Sequence, residues 1–157
     1  MKPKITWEGK LPSNAQEAEA FMLKNNVHVT VAGSKRNLDL SLNWKMSKPD
    51  WDFGTPETGK ISLNAKGNNP RWGDYSLTRD INWEVANKVA DVSLTGSAQF
   101  QKGMLAPFSP IETSFKFKVI PDQADLIGKF KKVINGKEYS IEFPKGSGVM
   151  PKIIMGQ

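Results

Sequence analysis

The stretch YSLTRDINWEV, residues 75–85, decides the fold class of this chain. Its odd-numbered positions read Tyr, Leu, Arg, Ile, Trp and Val, whereas its even-numbered positions read Ser, Thr, Asp, Asn and Glu. An alternation of period two is typical of a β-strand that turns one face to an apolar environment and the other to water. Arg79 is the exception, because it falls on the apolar side. A charge placed there needs something to compensate it.

The same alternation recurs along most of the chain. It is nearly perfect over residues 38–46, and it returns over residues 61–65, 90–100 and 111–119. The connectors are mostly short, and the Asn-Gly pair at 135–136 is the strongest hairpin signal among them. Short connectors join only antiparallel neighbours. The sequence therefore predicts a mainly β fold, an antiparallel meander of about eight or nine amphipathic strands.

Outside the strand region, residues 27–143, the sequence predicts a short strand at ITWEG, residues 5–9, then one helix, and a tail at the end of the chain. The helix is expected over about residues 14–24, since Ser13 and Gln16 have the spacing of a capping box and strong helix formers follow. The tail, residues 144–157, contains the apolar patch MPKIIM, which has to dock or remain exposed. The whole chain of 157 residues is predicted to be a single β domain.

A meander with one apolar face has to cover that face. It can close into a barrel, fold over as a sandwich, or lie against something that is not protein. Short connectors supply few of the crossovers of a sandwich, so closure into a barrel is favoured. A barrel of about eight strands is either filled by its own side chains or holds one small ligand. The sequence leaves these two alternatives equally open.

The candidate ligand-binding residues are large side chains expected to face the barrel interior. Small residues such as Ala65, Gly96 and Gly128 stand between them and leave room for a ligand. The candidates are Leu42, Trp44, Leu63, Tyr75, Leu77, Arg79, Trp83, Leu94, Phe115, Phe117 and Phe130.

The composition argues against several classes of function. The chain has no cysteine and a single histidine, His28, which is expected to face outward. Thiolate chemistry and His-rich metal sites are therefore excluded. The net charge is +6, but the lysines are scattered singly along the strands, which favours a solvated surface over the weaker alternative of nucleic-acid binding. We therefore predict no nucleic-acid partner. No catalytic motif is present, and the chain is predicted not to be an enzyme and to have no catalytic or metal-binding residue.

The longer loops contain two tryptophans and two neighbouring aspartates. Asp50 and Asp52 could offer a pair of carboxylates to a metal ion, but the adjacent proline and glycine favour an ordinary turn. Trp51 and Trp72 could form the lip of a cavity. The favoured alternative is that each tryptophan anchors its loop.

Two runs, NNPRWGDYSLTRDINWEVANKVADVSLTGSAQF and SFKFKVIPDQADLIGKFKKVINGKEYSIEF, combine long strands with lysine-bearing polar faces. They resemble the amphipathic β-strand regions of large lipid transfer proteins, the family of apolipophorin, vitellogenin and apolipoprotein B. The resemblance covers about Leu38 to Phe143. It implies lipid carriage and, because family members are far longer, a fragment of a lipoprotein or a small relative. The order strand, helix, meander is also similar to the calycin carriers of fatty acids and retinoids.

Two classes of function remain. In the first, the barrel carries an apolar small molecule such as a lipid, fatty acid, carotenoid or retinoid. In the second, the sheet is a structural module that coats a lipid surface or packs against other chains of a lipoprotein, and oligomers are allowed. The resemblance implies an extracellular location. A cytoplasmic location is the alternative, because the start of the chain lacks the apolar core of a secretion signal.

Three arrangements would compensate or hydrate the positive charge of Arg79. A ligand carboxylate could bind the guanidinium through two parallel hydrogen bonds. A bulge at residues 78–80 could turn the side chain out to solvent, or a position at the open rim could let it reach water. The two solvent alternatives together are favoured over the ligand.

Overall fold

The computed structural model describes residues 3–50, 55–120, 125–144 and 152–154 of the chain. Ten strands form one antiparallel sheet in which each strand lies beside its predecessor, and a two-stranded ribbon, β4 and β5, is inserted between β3 and β6. The strands are β1 Lys4–Trp7, β2 Lys24–Val31, β3 Asn37–Met46, β4 Pro49–Asp50, β5 Thr55–Pro56, β6 Thr58–Asn69, β7 Gly73–Ala86, β8 Val89–Phe100, β9 Ile111–Ile120, β10 Asp125–Ile134, β11 Lys137–Phe143 and β12 Lys152–Ile154. The predicted meander is confirmed.

The predicted closure into a barrel is wrong. The sheet is open, and within the described residues β1 and β12 are its two edges. Closure would have to join these two strands, which are the shortest of the sheet, with 4 and 3 residues against 14 in β7. Few backbone groups are therefore present at the edges to form the hydrogen bonds of a closing seam.

The predicted helix is present as α1, Ala15–Leu23, and leads directly into β2. Its N-cap is Asn14, whose Oδ1 accepts a hydrogen bond from the Glu17 amide at 2.8 Å. The expected pairing of Ser13 with Gln16 is replaced by one in which Ser13 N and Oγ donate to the Glu17 carboxylate, at 2.9 and 2.8 Å. Asn14 is as good a cap as serine, and Glu17 stands three residues after it.

The start of α1 yields a prediction about pH. The backbone and then the side-chain hydrogen bond from Ser13 lower the pKa of Glu17 below its ordinary value. Because the folded pKa is lowered, this contact stabilises the helix start above the ordinary pKa, and the stabilisation is lost as pH falls through the lowered one. In carbon-13 NMR titrations, Ser13→Ala should raise the Glu17 midpoint part of the way, since the backbone donor remains. An unchanged midpoint would contradict the assignment.

The hairpin between β10 and β11 has the predicted two-residue turn, with φ of 48° at Asn135 and 82° at Gly136. A Cβ at Gly136 would meet nothing within 4 Å, so the cost of a substitution there is conformational. We expect Gly136→Val to reduce the free energy of unfolding by more than ~1 kcal/mol, measured by equilibrium urea unfolding. Gly136→Asn should cost less, because asparagine tolerates positive φ. Equal losses for the two variants would contradict this account.

The sheet is a single layer with very little buried core. Among the described residues, Ala98 is the one buried apolar side chain. The chain exposes 10949 Å², against about 7,900 Å² expected for a compact protein of its mass. The helix does little to cover the sheet: its contact is with one corner, where Trp44 Nε1 donates to the Met22 carbonyl oxygen at 2.7 Å. The described residues therefore leave a large face of the sheet uncovered.

Candidate functional site

One side of the sheet is apolar across its full width. We call the side that carries Leu77, Ile81 and Trp83 the apolar face, and the opposite side the polar face. The ladders of the main sheet run without a bulge, so residues paired across the strands stay on the same face. One such row of directly opposed residues runs through Trp44, Ile61, Ile81, Leu94, Phe115, Phe130 and Ile141. Ten strands spaced by about 4.8 Å make this face roughly 43 Å wide.

The two faces differ in charge as well as in polarity. Every Asp and Glu of the main-sheet ladders whose side chain the structure describes lies on the polar face. One of them, Asp80, accepts a hydrogen bond there from Ser62 Oγ at 2.6 Å. The apolar face has no acidic residue in these ladders. It does carry three cationic ones, Arg79, Lys132 and Lys137. The apolar face is therefore positively charged.

All eleven candidate ligand-binding residues lie on this face, and each is half-buried. They extend from β3 to β10, a distance of about 24 Å across the strands. Some are brought into contact: the Phe115 ring centroid lies 5.3 Å from that of Phe117 and 6.5 Å from that of Phe130. Others, such as Leu42 and Phe130, are five strands apart. The structure thus arranges the candidates over a surface and not around an enclosed cavity.

Glycines on the apolar face are covered by long side chains from neighbouring strands. A Cβ at Gly59 would meet the ring of Trp83, and one at Gly67 would meet the hydroxyl of Tyr75. Arg79 in the same way lies over Gly96. Gly96 and Gly128, two of the small residues expected to leave room for a ligand, instead give room to Arg79 and Phe117, which makes this face smoother. The depressions found in the sheet lie on the polar face or at its end, for example one of about 360 Å³ beside Asp80.

Arg79 keeps its place in the alternation. The ladders on both sides of it are continuous, so there is no bulge, and it stands in the middle of β7 in the interior of the sheet. Its Nη1 donates to the carbonyl oxygens of Thr78, at 2.7 Å, and Ser97, at 3.4 Å. Gly96 makes this possible, because any side chain there would occupy the position of the guanidinium. Neither the bulge nor the rim position is therefore found.

Two polar residues beside Arg79 were not among the sequence candidates. Thr113 and Lys132 follow Gly96 in the same cross-strand row. Thr113 Oγ1 is buried and has no hydrogen-bond partner among the described residues. The signal was present in the sequence, since Phe130 and Ile134 place Lys132 on the apolar side of β10. Because Lys131 precedes it, Lys132 is one of two consecutive lysines, a pattern typical of solvent-exposed residues, and its place on the apolar side was missed.

The remaining candidates have structural roles where the structure describes them. His28 lies on the polar face, with Nε2 2.9 Å from Asp39 Oδ1. Trp72 packs edge-on against the rings of Tyr75 and Phe100, each with centroids 5.5 Å apart, and so anchors its loop. Trp51 and Asp52 lie outside the described residues.

The described residues form neither a cluster of metal ligands nor a helix that spans a membrane. No three His, Cys, Asp or Glu side chains in that part of the chain are grouped so as to hold a metal ion. None of the helices described is both long and apolar enough to cross a bilayer. No protein-family model, curated protein or solved structure matches this chain.

Proposed function

We propose that this protein binds a lipid surface through its apolar face and acts as a structural lipid-coating module. The observation that carries the proposal is an apolar face that the described residues leave uncovered and whose charged groups in the ladders are all positive. An apolar surface of this extent is unfavourable in water, because each Å² that is covered contributes about 25 cal/mol. Exposed apolar patches larger than a few hundred Å² mark interaction sites.

The charges favour lipid over a second copy of the chain. In a face-to-face dimer, Arg79 and Lys132 of one copy would approach the apolar face of the other, which offers no carboxylate in its ladders. Cations buried without partners cost several kcal/mol each. A lipid layer avoids this cost because its polar groups and anionic amphiphiles can move to the cations. Charge complementarity therefore favours a lipid layer over a second copy of the chain as the partner of the apolar face.

The smoothness of the face also favours a deformable partner. Tight protein interfaces centre on side chains that fill pockets in the partner, whereas here Trp83, Tyr75 and Arg79 fill the glycine positions of their own sheet. Acyl chains need no such pockets. The apolar side chains at the edges, Ile5 at 52% exposure and Ile153 at 64%, extend the same surface.

The two functions expected from the sequence differ in what they require. A carrier needs an enclosed cavity, and the open sheet does not provide a barrel interior. A coating module needs only an exposed apolar face of sufficient area. The resemblance to large lipid transfer proteins agrees with the second function and is part of the proposal.

The proposal is tested by flotation of the chain with triolein droplets coated with phosphatidylcholine. We expect the chain to float with the droplets and its tryptophan emission to shift to shorter wavelength, because Trp44 and Trp83 lie on the apolar face. A chain that stays in the aqueous fraction would refute the proposal. So would a dimer, seen by sedimentation, that does not bind droplets, since its occupant would be a second copy.

A further inference from the structure

Arg79, Gly96, Thr113 and Lys132 are consecutive members of one cross-strand row on the apolar face. They belong to β7, β8, β9 and β10, so the Cα atoms of Arg79 and Lys132 are about 14 Å apart. The guanidinium of Arg79 leans over Gly96 and so toward Thr113, with Nη1 2.5 Å from the position of a Gly96 Cβ. Both cationic side chains are long enough to reach the space above Thr113.

The polar groups of this row lack charged partners. Arg79 uses Nη1 on two backbone carbonyls, and in the described residues no carboxylate contacts it. Lys132 likewise forms no ion pair with a described residue, whereas Lys129 on the polar face of the same strand contacts Glu138 and Glu142 at 3.4 and 3.5 Å. The buried Thr113 hydroxyl also has no hydrogen-bond partner in the part of the chain that the structure describes. No anion among the described residues thus pairs with these two cations and this hydroxyl.

A covered face would make this arrangement unfavourable unless the covering layer supplies the anion. Arg79 and Lys132 are half-buried in the free chain, and their charges can still be hydrated. Once lipid covers the face, that hydration is lost and an uncompensated charge becomes costly. An oxyanion placed between the guanidinium and the ammonium would restore compensation through charge-assisted hydrogen bonds.

We propose that this row is a binding site for the carboxylate of a fatty acid within the lipid layer. The inference rests on the proposed function. A carboxylate fits better than a phospholipid headgroup because the row is flanked by apolar side chains, Leu63 before it on β6 and Ile81 and Phe115 beside it. A fatty acid can place its small headgroup there while its single chain lies along the apolar face.

The test compares droplets that contain oleate with droplets that contain oleyl alcohol, at alkaline pH. The wild-type chain should bind oleate droplets roughly tenfold more tightly than oleyl alcohol droplets. Arg79→Leu and Lys132→Leu should each lose most of this preference while still binding both kinds of droplet. Lys131→Leu is the matched control, since it removes the same charge one residue away on the polar face, and it should keep the preference.

The outcomes separate this inference from the proposed function. Failure of the wild-type chain to bind either droplet would refute the lipid-coating function. Binding of both droplets with equal affinity, or an equal loss in Lys131→Leu, would refute the carboxylate site alone. The site would also be refuted if droplets doped with phosphatidylglycerol were bound as tightly as those with oleate and with the same dependence on Arg79.

Thr113→Val gives a second test in which stability and binding change in opposite directions. Valine has nearly the shape of threonine and removes a buried hydroxyl for which no described residue is a hydrogen-bond partner. The variant should therefore unfold at an equal or higher urea concentration than the wild type. Its preference for oleate over oleyl alcohol should fall a few-fold. An unchanged preference for oleate would show that Thr113 does not contribute to the carboxylate site. A lower urea midpoint would show that its hydroxyl stabilises the folded protein.

Discussion

Val92→Glu should weaken binding to triolein droplets by at least ~100-fold, the largest effect we expect of any single substitution on the apolar face. Val92 is half-buried on the apolar face of β8, directly between Trp83 and Phe117. The substitution loses the burial of a valine, about 1.5 kcal/mol or more, and places a carboxylate against lipid at a cost of several kcal/mol. Each 1.4 kcal/mol is a factor of about ten in affinity.

Ser93→Glu is the matched control, because it adds the same charge one residue away on the polar face. Ser93 lies opposite Asn82 and Lys116, so a glutamate there remains hydrated and faces a cation. Its droplet binding should stay within a few-fold of the wild type. Both variants should show the strand-dominated circular dichroism of the wild type. If Val92→Glu bound droplets as well as Ser93→Glu, the apolar face would not be the lipid-binding surface.

The strand pattern of this chain could be predicted because alternation is a local property. The sequence of each strand shows which of its side chains share a face, as in residues 75–85. Short turns such as Asn135-Gly136 determine which strands are neighbours. The same local rule correctly placed all eleven site candidates on one side of the sheet. The sequence was therefore sufficient to predict which residues form the apolar face and in which order the strands lie.

Closure of the sheet could not be predicted in the same way. An alternating strand has the same sequence whether its apolar face lines a barrel, packs in a sandwich or lies against lipid. The deciding feature is whether the edges meet, and here that depends on β1 and β12, two strands of 4 and 3 residues. A segment of three or four residues gives too weak a periodic signal to predict which strand it pairs with.

The residues that surround Arg79 also could not be predicted, because they depend on long-range pairing and not on local alternation. It depends on Gly96 and on Thr113 and Lys132, which are far apart in the sequence and meet only through the registers of three ladders. An error of one residue in any register would move the glycine away from the guanidinium or turn Lys132 to the polar face. The pairing itself therefore creates the site.

Gly128→Val should be among the most destabilising substitutions in the sheet, reducing the free energy of unfolding by roughly 3 kcal/mol. Gly128 lies between Phe117 and Phe143, its partners on β9 and β11. The two rings contact each other edge to face, with centroids 5.7 Å apart. A Cβ at this glycine would overlap the Lys116 carbonyl oxygen and approach the Phe117 ring.

Moving either the Lys116 carbonyl group or the Phe117 ring away from a new Cβ at Gly128 would be energetically unfavourable. The carbonyl is part of the backbone of β9, and the φ of 157° at Gly128 is one that valine rarely adopts. Displacing Phe117 would also separate it from Phe115 and from Phe143. The variant should therefore lose packing on the apolar face of three strands and bind droplets less tightly as well.

Gly136→Val is the matched control, because it is the same substitution at a glycine with open space around it. Both variants are compared by urea unfolding at one protein concentration, followed by tryptophan fluorescence. If Gly128→Val cost no more than Gly136→Val, the ring contact and the close approach of β9 would not be contributing to the stability of the sheet. A clearly larger loss at Gly128 would show that the chain keeps this glycine so that the phenylalanines can pack into a smooth apolar surface.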